Sequence, residues 1–116
     1  MASLVLIVLT NPTEGREDEY NDWYTHDHLD DVLALEGFRA AQRYKFTPGR
    51  LSAEAPYRYL AIYEAEEGSA ERAEAALLAA AGTDAMPISK ALSREQAVWW
   101  YTAIGDRVEA PTPKPA

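Results

Sequence analysis

Between Glu14 and Phe38 the chain sets a histidine, two aspartates and three large aromatic residues at intervals that bring them to one side of a helix. At about 100° per residue, Tyr20, Trp23, Tyr24, Asp27, His28, Asp31, Val32 and Leu35 share one stripe. His28 is the residue best suited to move a proton, because imidazole ordinarily titrates near neutrality. Tyr24 stands four residues before it, the spacing at which helical side chains touch. Asp27 can orient the imidazole or, if its own carboxyl stays protonated, serve as the acid. Burying ionisable groups costs free energy unless they are paired or wet, so a helix that only filled a core would carry aliphatic residues here. The stripe predicts the wall of an aromatic pocket with polar tips.

Other residue types extend that pocket or limit its chemistry. Tyrosine outnumbers phenylalanine seven to two, and buried tyrosines need hydrogen-bond partners, which points to a wet, phenol-lined cavity. Tyr20, Trp23, Tyr44 and Tyr63 are candidate ligand contacts, suited to stacking on a flat aromatic or polyketide-like molecule. Arg43 can hold a substrate carboxylate in bidentate fashion, or can neutralise the acidic helix or cover a subunit seam. Asp27 and Asp31 have an alternative use in ion pairs with Arg39 or Arg43. His26, two residues from His28, projects to nearly the opposite side of the helix, so the pair cannot chelate a metal there. No metal site and no cofactor is expected. The chain lacks cysteine, a P-loop, a dinucleotide glycine fingerprint and a G-x-S-x-G elbow, which removes thiolate, nucleotide and serine-nucleophile chemistry from consideration.

These residues need elements to hold them. Leu4–Leu9 is an aliphatic run that reads as a strand apolar on both faces and ended by Asn11-Pro12. An acidic first turn (Glu17, Asp18, Glu19) opens the helix and Gly37 closes it. Residues 38–46 alternate as a second strand, with Phe38, Gln42 and Tyr44 on one face and Arg39 and Arg43 on the other. Tyr57–Ala65 is the third strand. Ser69 caps an alanine-rich second helix that ends at Gly82, and 96–104 is the fourth strand. The order β-α-β-β-α-β is the ferredoxin-like pattern: a four-stranded antiparallel α+β sandwich with both helices on one face, spanning residues 1–108 as a single domain. Residues 109–116 form a proline-rich flexible tail. Trp99 and Trp100 in succession must point to opposite sides of their strand. A large apolar patch therefore remains on the bare sheet face, which predicts a homodimer packed sheet to sheet.

The stretch NPTEGREDEYNDWYTHDHLDDVLALEGFRAAQRY resembles the EthD-like branch of the dimeric α/β-barrel superfamily. The resemblance rests on Asn11, Pro12, Gly15, Arg16, Glu17, Trp23, Tyr24, His28, Leu29, Gly37, Phe38 and Arg43, about a third of the chain. Asp30 and Glu36 depart from it, standing where the family usually has proline. The resemblance implies the same fold and pairing, with activities spanning cyclases, dehydratases, isomerases, decarboxylases, cofactor-free monooxygenases and haem-degrading enzymes.

The formal charge of −8, with nine of nineteen acidic residues between Glu14 and Glu36, argues against nucleic-acid and anionic-membrane partners. The start of the chain is apolar for too few residues to be a signal peptide or a membrane span, and cysteine-free composition fits the cytoplasm. The expected function is cofactor-independent acid–base chemistry, of lyase, isomerase or cyclase type, on a small aromatic or polyketide-like substrate. Dehydration, decarboxylation, isomerisation and aldol-type cyclisation share one enolisation step, with His28 as proton shuttle. The alternatives are a dimeric binder of an aromatic metabolite without catalysis, and a haem-binding protein or cofactor-free monooxygenase.

Overall fold

The aliphatic run at the start of the chain becomes β1 (Leu4–Pro12), one of the two inner strands in a sheet of order β2-β3-β1-β4. This is a computed structural model, and it describes residues 3–113. β2 is Phe38–Lys45, β3 Tyr59–Ala65 and β4 Leu92–Thr102, and every pairing is antiparallel. The helical residues form α1 (Glu17–Trp23), a π-helical turn (Tyr24–His28), α2 (Leu29–Leu33) and α3 (Ala70–Ala80). The architecture is the ferredoxin-like α+β sandwich.

β1 does not stop before Asn11-Pro12. A register shift between Thr10 and Pro12 carries the strand to Pro12, and such an irregularity accepts proline because the local ladder needs no donor. On the helix side of β1, Leu4, Leu6, Val8 and Thr10 are buried. They face Tyr20, Tyr24, Val32 and Ala73 in one core with Tyr63 and Ala61 of β3. The other side of the sheet carries Val5, Ile7 and Leu9, with Leu60 and Ile62 beside them in register. Trp99 lies opposite Ile7 and Trp100 opposite Leu6, so the two indoles do part to the two faces. Trp99 and Tyr101 keep about half their surface open, 45% and 54%.

The alternation expected along β2 is broken at its start. Phe38 pairs with Ala65 and Ala40 with Glu64, so Arg39 is an extra residue and every later side chain changes face relative to Phe38. Phe38 is buried under the helices, with Ala41 and Arg43 half-buried on the same face, and Tyr44 stands on the open sheet face, where its hydroxyl donates to Gln42 Oε1 at 3.0 Å. Gly37, expected to end the first helix, adopts φ +91, and a Cβ there would lie 3.0 Å from Ala73 Cβ. Glycine thus serves both the left-handed turn and the close approach of that turn to α3. Ser69 precedes α3 without a side-chain bond to the helix; its hydroxyl donates instead to the Glu66 carbonyl at 2.6 Å. The chain leaves the sheet after Thr102, and residues 105–113 are exposed and without helix or strand. Met1, Ala2 and the last part of the expected tail, 114–116, lie outside the described residues.

Candidate active site

A regular α-helix advances about 40° beyond a full turn every four residues, so a four-residue repeat drifts off its face. Here Tyr20, Tyr24, His28 and Val32 stay buried, at 0%, 2%, 9% and 1% exposure. The π-helical turn between Tyr24 and His28 makes this repeat possible, because its wider ring, with about one more residue per turn, rotates the chain back. It also separates residues expected together: His28 turns inward, and Asp27 turns out to solvent.

The His28 ring stacks on Trp23, with centroids 4.5 Å apart and planes at 26°, and meets Tyr24 edge-on at 4.9 Å. Its Nδ1 is buried without a hydrogen-bond partner, and so is Nε1 of Trp100. Burial, assisted by the positive charge of Arg43, lowers the His28 pKa to about 4, and the imidazole is neutral at physiological pH. Tyr63 donates to the Tyr24 hydroxyl at 3.3 Å. Burial pushes Tyr24 up to about 12 and Tyr63 well above the usual phenol value, so both phenols keep their protons. Tyr24 accepts from Tyr63 and its own proton is left to point elsewhere.

Arg43 reaches this cluster from β2. Its guanidinium lies 4.5 Å from the Tyr24 ring centroid and 5.2 Å from that of Tyr20. Nη1 donates to Thr25 Oγ1 at 2.8 Å and Nη2 to Asn21 Oδ1 at 2.9 Å. The cation is therefore held behind the phenols, on their side away from β1, where it favours negative charge without offering a free donor fork.

His28, Tyr24 and Tyr63 line a cavity of about 440 Å³. Its floor is Leu6 and Val8 of β1 with Val98 and Trp100 of β4. α3 contributes Leu77 and Leu78, and the segment after it Met86 and Ile88. Glu74 of α3 and Gln96 of β4 complete the lining, and both are exposed. The cavity is an apolar chamber with a neutral imidazole and a phenol pair at its inner end.

Of the residues singled out in the sequence, the structure brings His28, Tyr24 and Tyr63 into one chamber and sets Trp23 and Arg43 directly behind them. Tyr20 is beneath the cluster, bonded to Thr10 at 2.5 Å, and does not line the chamber. Tyr44 is on the opposite sheet face, displaced by the bulge at Arg39. Asp27 belongs with His26, Asp30, Asp31 and Asp84 to a separate acidic depression. Neither aspartate pairs with the strand arginines as anticipated: Arg39 binds Glu66, and Arg43 binds Asn21 and Thr25. His26 is exposed, 3.7 Å from Asp22. Among the described residues no three His, Asp or Glu side chains converge as a metal site. Glu74, Met86 and Gln96 were not singled out from sequence, whereas the pairing of Trp99 with Trp100 signalled that one indole had to enter the helix side. A wider groove at the β1–α1 turn is open, and its Glu17 and Arg58 are paired with each other at 3.0 Å.

The fold is shared with solved structures. The heme-degrader MhuD from Mycobacterium tuberculosis, whose structure holds two hemes in its active site, superposes with a TM-score of 0.60 at 20% identity, covering 89% of this chain and 97% of MhuD. An ethyl tert-butyl ether (EthD) family protein from Bacillus halodurans gives 0.55 at 18% identity over 90% of this chain and 100% of its own. A monooxygenase-like protein from Shewanella loihica gives 0.54 at 15% over 91% and 99%. At these identities the likeness is one of fold. The chamber lies between the sheet and the helices, and the other sheet face is left bare. No family model matches the sequence, and no curated protein matches it either. Among the described residues no helix is long and apolar enough to cross a membrane.

Proposed function

We propose that this protein binds a small aromatic or polyketide-like molecule in the His28 chamber and catalyses a proton transfer on it without a cofactor. The observation that carries this reading is the buried, unpartnered Nδ1 of a neutral His28 beside a phenol whose proton is uncommitted. A neutral imidazole accepts a proton at any pH above about 4, but its low basicity limits it to substrates that are themselves acidic. Enolisable diketones, phenols and hydroxyquinones meet that condition. As His28 takes the proton, Tyr24 donates a hydrogen bond to the carbonyl that becomes the enolate. Arg43, close behind Tyr24, stabilises the developing negative charge through a medium of low polarity. The enolate then reprotonates elsewhere, expels hydroxide with a proton as water, or closes onto a second carbonyl. Two copies pair through the open sheet face, which holds Val5, Ile7, Trp99 and Tyr101, and the protein acts as a homodimer.

A haem reading is favoured by the likeness to MhuD and by the unpartnered imidazole nitrogen, which suits an axial ligand. The rest of the chamber does not fit the group. Its lining contains no lysine or arginine to meet two propionates, and its rim carries Glu74.

The test is incubation of wild-type protein and His28→Phe with a cell extract, followed by untargeted mass spectrometry. A compound consumed by wild type alone, with a product equal in mass or lighter by water, is the expected result. A compound retained unchanged by both proteins overturns catalysis and leaves a carrier. A Soret band that appears with hemin in wild type and is lost in His28→Phe overturns the cofactor-free reading.

A further inference from the structure

The chamber's lining also specifies the charge of its ligand, an inference that rests on the binding reading above. At the inner end the imidazole is neutral and the phenols are protonated. Arg43 stands behind Tyr24, does not line the chamber, and donates from Nη1 to Thr25 and from Nη2 to Asn21. A ligand carboxylate placed there would find no cationic donor. At the rim the only ionisable side chain is Glu74, and Gln96 adds a neutral amide. Neither makes a hydrogen bond or ion pair among the described residues. The nearest arginine in sequence, Arg72, is turned to Glu36 at 2.9 Å and to Glu66 at 4.0 Å. Glu74 therefore presents an uncompensated carboxylate at the opening of an apolar cavity.

We infer that Glu74 is a specificity-determining residue. It accepts a hydrogen bond from a phenolic or alcoholic hydroxyl at the outer end of the ligand, and it repels ligands that carry a carboxylate at that end. Like charges a few ångströms apart at a wet rim disfavour the acid by about tenfold after screening. A carboxylate on the ligand finds repulsion at the rim and no donor fork within. Decarboxylation thus leaves the set of reactions, and tautomerisation, loss of water and ring closure of neutral polyhydroxylated or polyketone substrates stay in it.

The probes are a naphthalenediol and the hydroxynaphthoic acid that differs from it only by a carboxyl in place of one hydroxyl. Each is titrated calorimetrically into wild type, Glu74→Gln and Glu74→Lys. Residue 74 is on the exposed surface of α3, and both replacements are good helix formers, so the variants keep the fold. Wild type should bind the diol about tenfold more tightly than the acid, with the gap closing in Glu74→Gln and reversing in Glu74→Lys. Equal affinities in wild type, or a gap unchanged in both variants, overturn the role of Glu74 and leave the binding reading standing. If neither probe binds, the binding reading falls and this inference with it.

Discussion

Burial of His28 as a neutral group makes stability depend on pH in a way that one substitution can isolate. The folded pKa of about 4 lies below the ordinary value of 6.5, so between those limits the unfolded chain holds the extra proton. The contribution is complete above pH 6.5 and is lost as pH falls toward 4. At about 1.4 kcal/mol per pH unit, the whole interval amounts to about 3 kcal/mol. Between pH 7 and pH 4.5, the two-state proton linkage gives a loss of about 2.5 kcal/mol. His28→Phe removes the titration while keeping a flat ring against Trp23. Urea denaturation of both proteins across that range, at one fixed protomer concentration, cancels the contribution of the carboxylates. The stability of wild type relative to the variant should decline by about 2.5 kcal/mol on acidification. Curves that stay parallel would show that His28 is solvated or paired in the folded protein, and the account of the chamber would fail with it.

Two further outcomes follow from the same geometry. Arg43→Met should raise the His28 pKa, since the Arg43 charge helps to hold it down, and should cost about 1–3 kcal/mol through the lost bonds to Asn21 and Thr25; imidazole NMR titration and urea denaturation read the two effects. Trp99→Lys places a charge on the open sheet face, and sedimentation should show a dimer in wild type and a monomer in the variant. A wild-type monomer refutes the pairing.

The strands and α3 were legible because each rests on a local pattern: an aliphatic run, an alternation, an alanine-rich stretch bounded by Ser69 and Gly82. The partition of Trp99 and Trp100 followed from the two-residue period of a strand alone. The candidate site was legible along the first helix, where Tyr24 and His28 sit four apart, and at Tyr63 of β3. Tyr44 was misplaced because a single extra residue, Arg39, inverts the faces of β2, and nothing in the type of residue at that position announces a bulge. Asp27 was misplaced for a related reason, since no side chain in Tyr24–His28 marks a π-helical turn. The far wall of the chamber comes from α3, the segment after it and β4. Glu74, Met86 and Gln96 are remote from His28 along the chain and adjacent only once the sheet has closed.

The π-helical turn gives the site an unusual dependence on chain length. Loss of any one residue within Tyr24–His28 would let an unbroken α-helix form, a more regular structure than the one present. The residues after the deletion would face nearly as they do now, because a plain helix one residue shorter sweeps almost the same angle as the present helix with its wider turn, so Val32 would still meet the core. Conversely, one added residue in a plain helix is enough to bring a polar side chain inward while its neighbour turns out. In this fold a buried polar group can thus arise by insertion, with no change in the composition of the residues around it.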